Sequence, residues 1–549
     1  MRMRRLLPFA LAVAILACGS ATDDAAAQGG AKAYGDTFID SILGNISSFI
    51  PMITTDLYSH QVGELLYSGL VTFDRDMNPQ GDLAESWKFS KDCLDLTFNL
   101  RKGVKWHDGQ PFSAADVVFT YEAAIDPKTP NAYKNDFDDV ESVKLVDSHT
   151  VRVRYSKPYA KALVSWGLAI LPKHLLQTWV QNGKIKEAPQ NFEKPIGTGP
   201  YRFGEFRSGE RAVLHSNPDY FKGRPYLSRV VYRVIPSQAT MFLELKAKGL
   251  DSSELTALQY ARQTDYPAFK SEYNRYRWAG DRYTYFGFNL KDPRFADKRV
   301  RQAFAYAIDK KQVIEGVILG LGRDATGPYM PGSWPYTDRV KTYSYDPAKA
   351  RKLLAEAGWR ERNGDGILVK DGTPFAFELL TNQGNDERKK IAEIIQASLR
   401  EIGVAVEIRI IEWATLLKQH IKKRNFEAIV LGWAIGIDPD QYGVWHSSQT
   451  GPDHLNHIQF QNPEVDALLE SGRTSCVQAD RVKYYHKIQH VLADEQPVVF
   501  LYFRDMLQAV SSRVHGIDPG PNGFRYNMPE WYVPKGLQRY TAPVPQVTP

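Results

Sequence analysis

One stretch of the chain changes from helical to strand periodicity across a single glycine. Apolar residues recur every three or four positions in 391–402, as on one face of a helix, and alternate in 404–410, as in a half-buried strand. Gly403, between the two patterns, is a typical helix stop. Since a helix followed at once by a strand is the pattern of layered α/β folds, this unit predicts helices packed on a mixed or parallel sheet.

Similar patterns recur along the chain. Residues 94–101 and 151–155 alternate as strands do, and the apolar runs 426–433 and 498–503 have the length of buried strands. Helix starts are predicted at three places, by the capping-box pair Ser113 and Asp116, by Asp297, and by Asp346 followed by Pro347. At roughly 100 to 200 residues per domain, 549 residues predict several folded units, and we expect two α/β lobes.

Composition excludes two classes of protein. Hydrophobic residues make up 43% and charged residues 24%, which is ordinary globular usage and unlike a disordered chain. The net charge is +6, and Arg2, Arg4 and Arg5 alone supply three of these charges. The rest of the chain is too balanced for a protein that binds nucleic acid through its phosphates.

The N-terminus has the pattern of an export signal. The arginines are followed by the apolar run 6–17, which is too short for the roughly 20 residues that span a bilayer and predicts a signal peptide over 1–17. Residues 15–19 resemble the lipobox of bacterial lipoproteins, so Cys18 is a predicted lipidation site and 18–32 a flexible tether. Because Leu16 is larger than usual there, ordinary cleavage near the following alanines is the alternative. The predicted location is the periplasm or the outer face of the cytoplasmic membrane.

Two other cysteines, Cys93 and Cys476, could form a disulfide in an oxidising compartment or stay as two buried thiols. Familiar catalytic motifs are missing from the sequence, including the nucleophile elbow, the zinc helix and the phosphate loop. His446, His454 and His457 lie close together, but no acidic or cysteine partner has the spacing of a metal site. The sequence predicts neither an enzyme nor a bound metal or cofactor.

A long stretch of residues in the N-terminal third of the chain resembles the sequence signature of a known protein family. Residues 83–87 (LAESW) and 96–117 (LTFNLRKGVKWHDGQPFSAADV) are similar to the signature of bacterial extracellular solute-binding proteins of family 5, the oligopeptide-, dipeptide- and nickel-type binding components of ABC importers. Further matches follow in the same order, at 197–203 (GTGPYRF), 217–223 (NPDYFKG), 300–310 (VRQAFAYAIDK), 346–358 and 462–468 (NPEVDAL). The signature itself has the pattern of a folding element, with alternating apolar residues and turn residues between them.

The resemblance implies the two-lobed periplasmic binding protein fold (type II, peptide-binding-like), with an extra domain on the first lobe. By analogy, lobe I uses residues 33–70, 190–282 and 501–549, the extra domain covers 71–189, and lobe II covers 283–500. The chain would cross between the lobes near 285–289 and 499–504, which are the candidate hinges.

The resemblance also implies a function without chemistry. The protein would capture a peptide or similar small solute between its lobes and deliver it to an ABC permease driven by an ATPase, as a monomer held at the membrane only by its lipid anchor. The alternatives are a secreted hydrolase and a binding subunit that presents solute to a sensor.

Candidate ligand-binding residues follow from the same analogy. In peptide-binding relatives, an Asp shortly after a Gly-Trp pair holds the amino terminus of the peptide. Here Gly432 and Trp433 are followed by Gly436 at about that position, which puts the binding of ordinary peptides in doubt. Trp433 itself is a candidate ligand-binding residue, as a wall on which the solute stacks, with packing in the strand-end core as the alternative. The remaining candidates are predicted from their places near the cleft, with packing or turn formation as the alternative for each: Asp438, Asp440, Asn289, Tyr442, His446, Asn45 and Thr55.

Overall fold

The computed structural model describes residues 31–475 and 477–540. The strands in these residues are β1 (Gly35–Ile42), β2 (Val71–Phe73), β3 (Pro79–Gly81), β4 (Ala84–Phe89), β5 (Asp95–Leu100), β6 (Val140–Asp147), β7 (Thr150–Tyr155), β8 (Tyr201–Arg207), β9 (Arg211–Ser216), β10 (Leu227–Val234), β11 (Ser252–Glu254), β12 (Tyr273–Phe288), β13 (Gly322–Asp324), β14 (Glu361–Arg362), β15 (Leu368–Lys370), β16 (Thr373–Pro374), β17 (Ala376–Asn382), β18 (Ala405–Ile411), β19 (Ala428–Ala434) and β20 (Val498–Ser511).

The helices alternate with these strands along the chain. They are α1 (Leu57–Leu66), α2 (Ala114–Ile125), α3 (Ala162–Ser165), α4 (Lys173–Gln181), α5 (Gln238–Lys246), α6 (Pro267–Glu272), α7 (Pro293–Ala296), α8 (Lys298–Ala307), α9 (Lys310–Gly316), α10 (Pro347–Glu356), α11 (Asp386–Glu401), α12 (Trp413–Thr415), α13 (Tyr442–Trp445), α14 (Pro463–Arg473) and α15 (Gln478–Glu495).

A mixed seven-stranded sheet forms the centre of the molecule. Its strand order is β11-β20-β12-β19-β17-β18, and β13 also pairs with β20. Successive side chains point to opposite faces, so Phe286 and Phe288 of β12 pack with α8 and α11 on one side, whereas Tyr283 and Tyr285 face a second core on the other. The sheet is therefore covered on both faces, as the sequence predicts for an α/β fold.

Two further sheets lie N-terminal to this one. The four strands β1, β10, β9 and β8 form one sheet, in which β1 runs parallel to β10. The four strands β4, β5, β7 and β6 form another, which lies with α2, α3 and α4 inside the stretch 71–189. That stretch is the predicted extra domain, and its boundaries and those of the two lobes stay predictions.

The local sequence signals are confirmed. Residues 94–101 and 151–155 form β5 and β7, and the capping box at Ser113 begins α2, with Asp116 accepting a hydrogen bond from the Ser113 backbone N–H. The predicted strand at 498–503 is too short, because β20 continues to Ser511 as the long antiparallel partner of β12. The predicted hinge segments 285–289 and 499–504 pair with each other in these two strands, beside an irregularity between Thr284 and Tyr285.

Several predictions fall outside the described residues. The signal peptide 1–17, Cys18, the tether up to residue 30 and Cys476 all lie there. Lipidation therefore stays a prediction, and the disulfide and the two free thiols stay open alternatives for Cys93 and Cys476. Within 31–475 and 477–540, no helix combines the length and the apolar character needed to cross a membrane.

Arg473, the last residue of α14, joins the part of the chain predicted as lobe II to the stretch 71–189. Its Nε donates to a carboxylate oxygen of Asp440 at 3.1 Å. Its Nη2 donates to the hydroxyl of Tyr159 at 3.0 Å and to the carbonyl of Asn135 at 3.2 Å, and its own carbonyl accepts from the N–H of Ala160 at 2.8 Å. The side chains of Arg473 and Asp440 are 4% and 2% exposed, so the pair is buried across this junction.

We expect Arg473→Met to lower the free energy of unfolding by about 3 kcal/mol, because it leaves the Asp440 carboxylate buried without its cation. Urea unfolding followed by circular dichroism measures the change. The double variant Arg473→Met/Asp440→Asn, which removes both charges, should lose clearly less. A double variant as unstable as Arg473→Met would contradict this account.

Candidate ligand-binding cavity

A cavity of about 560 Å³ lies where the seven-stranded sheet, the N-terminus of α1 and the stretch 71–189 meet. This volume is within the roughly 300 to 1,000 Å³ of small-molecule sites. Thr55 and Tyr58 line it from the region of α1, Tyr133 from the stretch 71–189, and Trp433 from β19. The cavity is therefore built by segments far apart in sequence.

Trp433 faces the cavity because side chains alternate between the two faces of the sheet along β19. Ile429 and Leu431 of this strand pack in the core on one face of the sheet, and Trp433 continues the same face beyond them. Its register partner is Tyr283 of β12, and its ring lies 5.4 Å from that of His457. These aromatic rings form an apolar wall, which can contact the apolar part of a solute rather than its charged groups.

Arg388, in the first turn of α11, extends over the glycine that precedes Trp433. Its Nη1 donates to the side-chain oxygen of Asn382 at 2.8 Å, and its N–H caps the helix through Asn385. A Cβ on Gly432 would lie 3.1 Å from Nη2 of Arg388 and 2.9 Å from the carbonyl oxygen of Tyr283. Gly432 thus leaves the room that the guanidinium occupies at the cavity wall.

The buried carboxylates that line the cavity already have partners. Asp438 takes a two-point ion pair from Arg481, Asp440 pairs with Arg473, and Asp136 pairs with Lys161 at 2.7 Å. Glu254 and Glu387 both approach Arg504, at 3.1 and 3.5 Å. Burial opposes ionisation of Glu254, but the guanidinium groups of Arg504 and Arg282 lower its pKa overall.

Asp56 is satisfied without a cation. It caps α1 by accepting from the N–H of Ser59 at 2.9 Å, and it also accepts from the hydroxyls of Ser47, Thr54 and Ser59. Every buried carboxylate of the lining is therefore occupied by groups of the protein itself.

Some cations of the lining, in contrast, have no carboxylate partner. In the described part of the chain, Arg388 and Lys422 contact no carboxylate, although both line the cavity. Buried polar atoms without a hydrogen-bond partner among these residues include Nε of Arg282, Nε of Arg525 and Nε1 of Trp413, all of them donors. The cations Arg388 and Lys422 therefore leave the cavity with donors that no carboxylate of the described chain accepts.

Known proteins match this chain over most of its length. The profile of "Bacterial extracellular solute-binding proteins, family 5 Middle" matches residues 78–454. The oligopeptide-binding protein AppA of Bacillus subtilis is 35% identical over 539 residues, covering 96% of this chain and 97% of that protein. Heme-binding protein A of Haemophilus influenzae is 30% identical over 558 residues, covering 95% and 98%. The solved structure of B. subtilis AppA in complex with a nonapeptide has a TM-score of 0.88 at 34% identity, covering 92% of this chain and 100% of that one.

The chain belongs to family 5 of the bacterial extracellular solute-binding proteins. It has the two-lobed α/β fold of that family, and it is a solute-binding component of an ABC transporter that works outside the cytoplasm with permease components. The resemblance noted in the sequence is confirmed.

Four of the eight predicted site residues of this family 5 protein line the cavity, namely Trp433, Asp438, Asp440 and Thr55. The two aspartates are held by arginines 33 and 43 positions away in sequence, so their carboxylates face neighbouring side chains of the protein. Their role in binding a solute stays a prediction.

The other four do not line this cavity. Asn289 donates to the carbonyls of Arg424 and Phe426 and accepts from Gln459, which fixes the end of β12. Asn45 borders a separate shallow groove and donates to Ser208 at 2.9 Å.

Tyr442 and His446 stack on each other, with their ring centres 4.0 Å apart. His446 and His454 both bond to Ser448, through its hydroxyl and its carbonyl respectively, whereas His457 bonds to Tyr285.

Sequence reasoning missed Arg388 and Lys422. Arg388 stands in the charged run 386–390 (DERKK), which has the pattern of a solvated helix start, and Lys422 stands in a similar run, 422–424 (KKR). One sequence signal pointed to Arg388. It lies at the start of the helix that follows β17, and the Gly-Trp pair lies at the end of β19. Because β17 and β19 are parallel, their carboxyl ends lie on the same side of the sheet.

His457, also in the lining, is a buried neutral imidazole. Its Nε2 lies 2.9 Å from the hydroxyl of Tyr285, and the residue is 5% exposed. Burial, assisted by the charge of Arg424, lowers the pKa of His457 from 6.5 to about 3. Between these values the unfolded chain binds more protons here than the folded chain, so folding stability falls as the pH falls.

We expect the free energy of unfolding to fall more steeply with acid in the wild type than in His457→Gln, by about 1 kcal/mol per pH unit between pH 6 and 4. Gln keeps a group that can hydrogen-bond Tyr285 but does not titrate. Urea unfolding at pH 6.5, 5.5 and 4.5 measures both proteins. Parallel pH profiles would show that His457 does not contribute.

Proposed function

We propose that this protein captures a peptide-like solute through a carboxylate and other acceptor groups, closes around it, and releases it unaltered to a permease driven by an ATPase. The observation that carries this proposal is the charge pairing around the cavity, where the buried carboxylates of the lining are occupied by the protein while Arg388 and Lys422 have no carboxylate partner in the described chain. We further propose that it acts as a monomer, is anchored through Cys18, and performs no chemistry on the solute.

Arg388 is the proposed partner of the solute carboxylate. Its guanidinium lies in the wall formed with Trp433, and burial lowers its pKa, which is the direction expected for a cation that lacks an anionic partner. A carboxylate accepts two parallel hydrogen bonds from a guanidinium, and such pairs are stronger and more directional than neutral ones. A carboxylate at this point would also be close to the aromatic wall.

The amino end of a peptide has no comparable partner. Gly436 lines the cavity about where related proteins place an amine-binding Asp, and the nearby Asp438 and Asp440 are engaged by Arg481 and Arg473. This supports a solute whose amine is blocked, absent or unrecognised. AppA of B. subtilis was solved with a nonapeptide, and the H. influenzae relative is named for heme, so its relatives have differing solutes.

Import is favoured over the two alternatives. A secreted hydrolase would belong to another family, and the relatives named above are transport binding proteins rather than sensor subunits. The direct test is to purify the protein from its native host and identify the co-purifying solute by mass spectrometry. A solute that carries a carboxylate and is recovered unchanged supports the proposal, and one that is chemically transformed overturns it.

For Arg388→Gln, we expect at least about a tenfold rise in the Kd for that solute, since a charge-assisted pair contributes about 1.5–3 kcal/mol. The solute is titrated by calorimetry into protein freed of ligand by unfolding and refolding. Lys389→Gln, the exposed neighbour on α11, is the matched control and should leave the Kd unchanged. Equal affinities for wild type and Arg388→Gln would remove Arg388 from the site.

For Gly436→Asp, we expect a gain in preference for free amino termini of about fivefold or more, measured as the ratio of the Kd values for acetyl-trialanine and trialanine. The new side chain fits, because a Cβ on Gly436 meets nothing closer than the Asp438 carbonyl oxygen at 3.7 Å. Gly436→Asn, of the same shape without the charge, should show no gain. A ratio unchanged by the carboxylate would contradict the assignment of this position.

A further inference from the structure

The cavity has a second cationic end, formed by Lys422 and Arg424 and here called the lysine end. Both residues line the cavity. They follow the π-helical turn Leu416–Ile421, which continues α12, whereas Arg388 belongs to α11. The two cations therefore reach the cavity from separate elements.

Arg424 is occupied by the backbone. Its guanidinium donates to the carbonyls of Ile421 at 2.8 Å, His454 at 2.9 Å and Thr450 at 3.4 Å, and also to that of Gly451. This geometry fixes the loop at 450–454 and leaves Arg424 no free donor pair for a solute. Its positive charge, however, stays at this end of the cavity.

Lys422 is half-buried, and within the described chain its side-chain ammonium has neither a hydrogen-bond nor an ion-pair partner. The charged groups that face it are Lys186, Lys418, Asp453 and Asp56.

Asp56 is used by Ser59, Thr54 and Ser47, and Asp453 is exposed and forms no ion pair among the described residues. Burial, together with the repulsion from Lys186 and Lys418, lowers the pKa of Lys422. The ammonium of Lys422 therefore forms an ion pair with neither of the two nearby carboxylates.

We propose that Lys422 binds a second anionic group of the solute, the acidic side chain of a peptide-like ligand. This inference rests on the proposed function and specifies it, since the solute would carry two negative charges, one at Arg388 and one at the lysine end. A neutral side chain at this position would leave Lys422 desolvated and unpaired when the cleft closes, whereas a carboxylate would accept its hydrogen bond. The site therefore discriminates Glu or Asp from Gln or Asn by charge rather than by size.

The test uses acetylated tetra-alanine peptides in which one Glu occupies each position in turn, with the matched Gln peptides as neutral partners. Calorimetry gives the Kd of each peptide for ligand-free wild type, Lys422→Gln and Lys418→Gln. Lys418 is an exposed lysine on the preceding turn, and it borders the separate shallow groove beside Asn45 rather than the cavity. Its substitution therefore removes the same charge without changing the cavity lining.

At one position or more, we expect wild type to bind the Glu peptide about tenfold more tightly than its Gln partner. Lys422→Gln should reduce this ratio to about one, and Lys418→Gln should keep it. Thermal unfolding of each variant confirms that it is folded.

Binding without any preference for Glu, or a preference that survives in Lys422→Gln, overturns this inference and leaves the proposed function standing. If none of the peptides binds wild type, the proposed peptide-like solute is wrong and this inference falls with it.

Discussion

The structure of the cavity depends on how the protein pairs its own buried carboxylates. Asp438 with Arg481, Asp440 with Arg473 and Glu254 with Arg504 are ion pairs in which the side chains come from elements far apart in sequence. A buried carboxylate without such a partner would cost several kcal/mol, so these pairs are a condition for placing so many charges around one cleft. Their consequence is functional, because the buried negative charges are used internally while Arg388 and Lys422 have no carboxylate partner in the described chain.

Two geometric features turn this charge balance into a binding surface. The alternation of β19 carries Trp433 onto the face of the sheet that borders the cavity, and Gly432 leaves space for the guanidinium of Arg388 beside it. A Gly-Trp pair at the end of a central strand thus places an apolar wall beside the guanidinium that we propose as the anion-binding group.

Much of the fold could be predicted from the sequence because its signals are local. The capping box at Ser113, the glycine stop at Gly403 and the alternation in 404–410 each identify an element without tertiary information. The stretches 83–87 and 96–117, which resemble the family signature, extended the prediction to the overall architecture. The full length of β20 could not be predicted, because its second half follows β12 through register pairing rather than through a continuous apolar run.

The site was harder to predict for a physical reason. The sequence places Asp438 and Asp440 near the cleft but cannot show that Arg481 and Arg473 neutralise them, since that depends on helices α14 and α15 packing nearby. By the same logic Arg388, in a run of charged residues, has the pattern of a solvated surface until the fold brings it against β19.

The most direct measurement of the central claim is a crystal structure of the protein with the solute that it carries from its native host. The account predicts that an intact solute lies between the lobes with a carboxylate within hydrogen-bond distance of Arg388 and its body against Trp433. A solute bound through an amine to Asp438 or Asp440, with their arginine partners displaced, would contradict it.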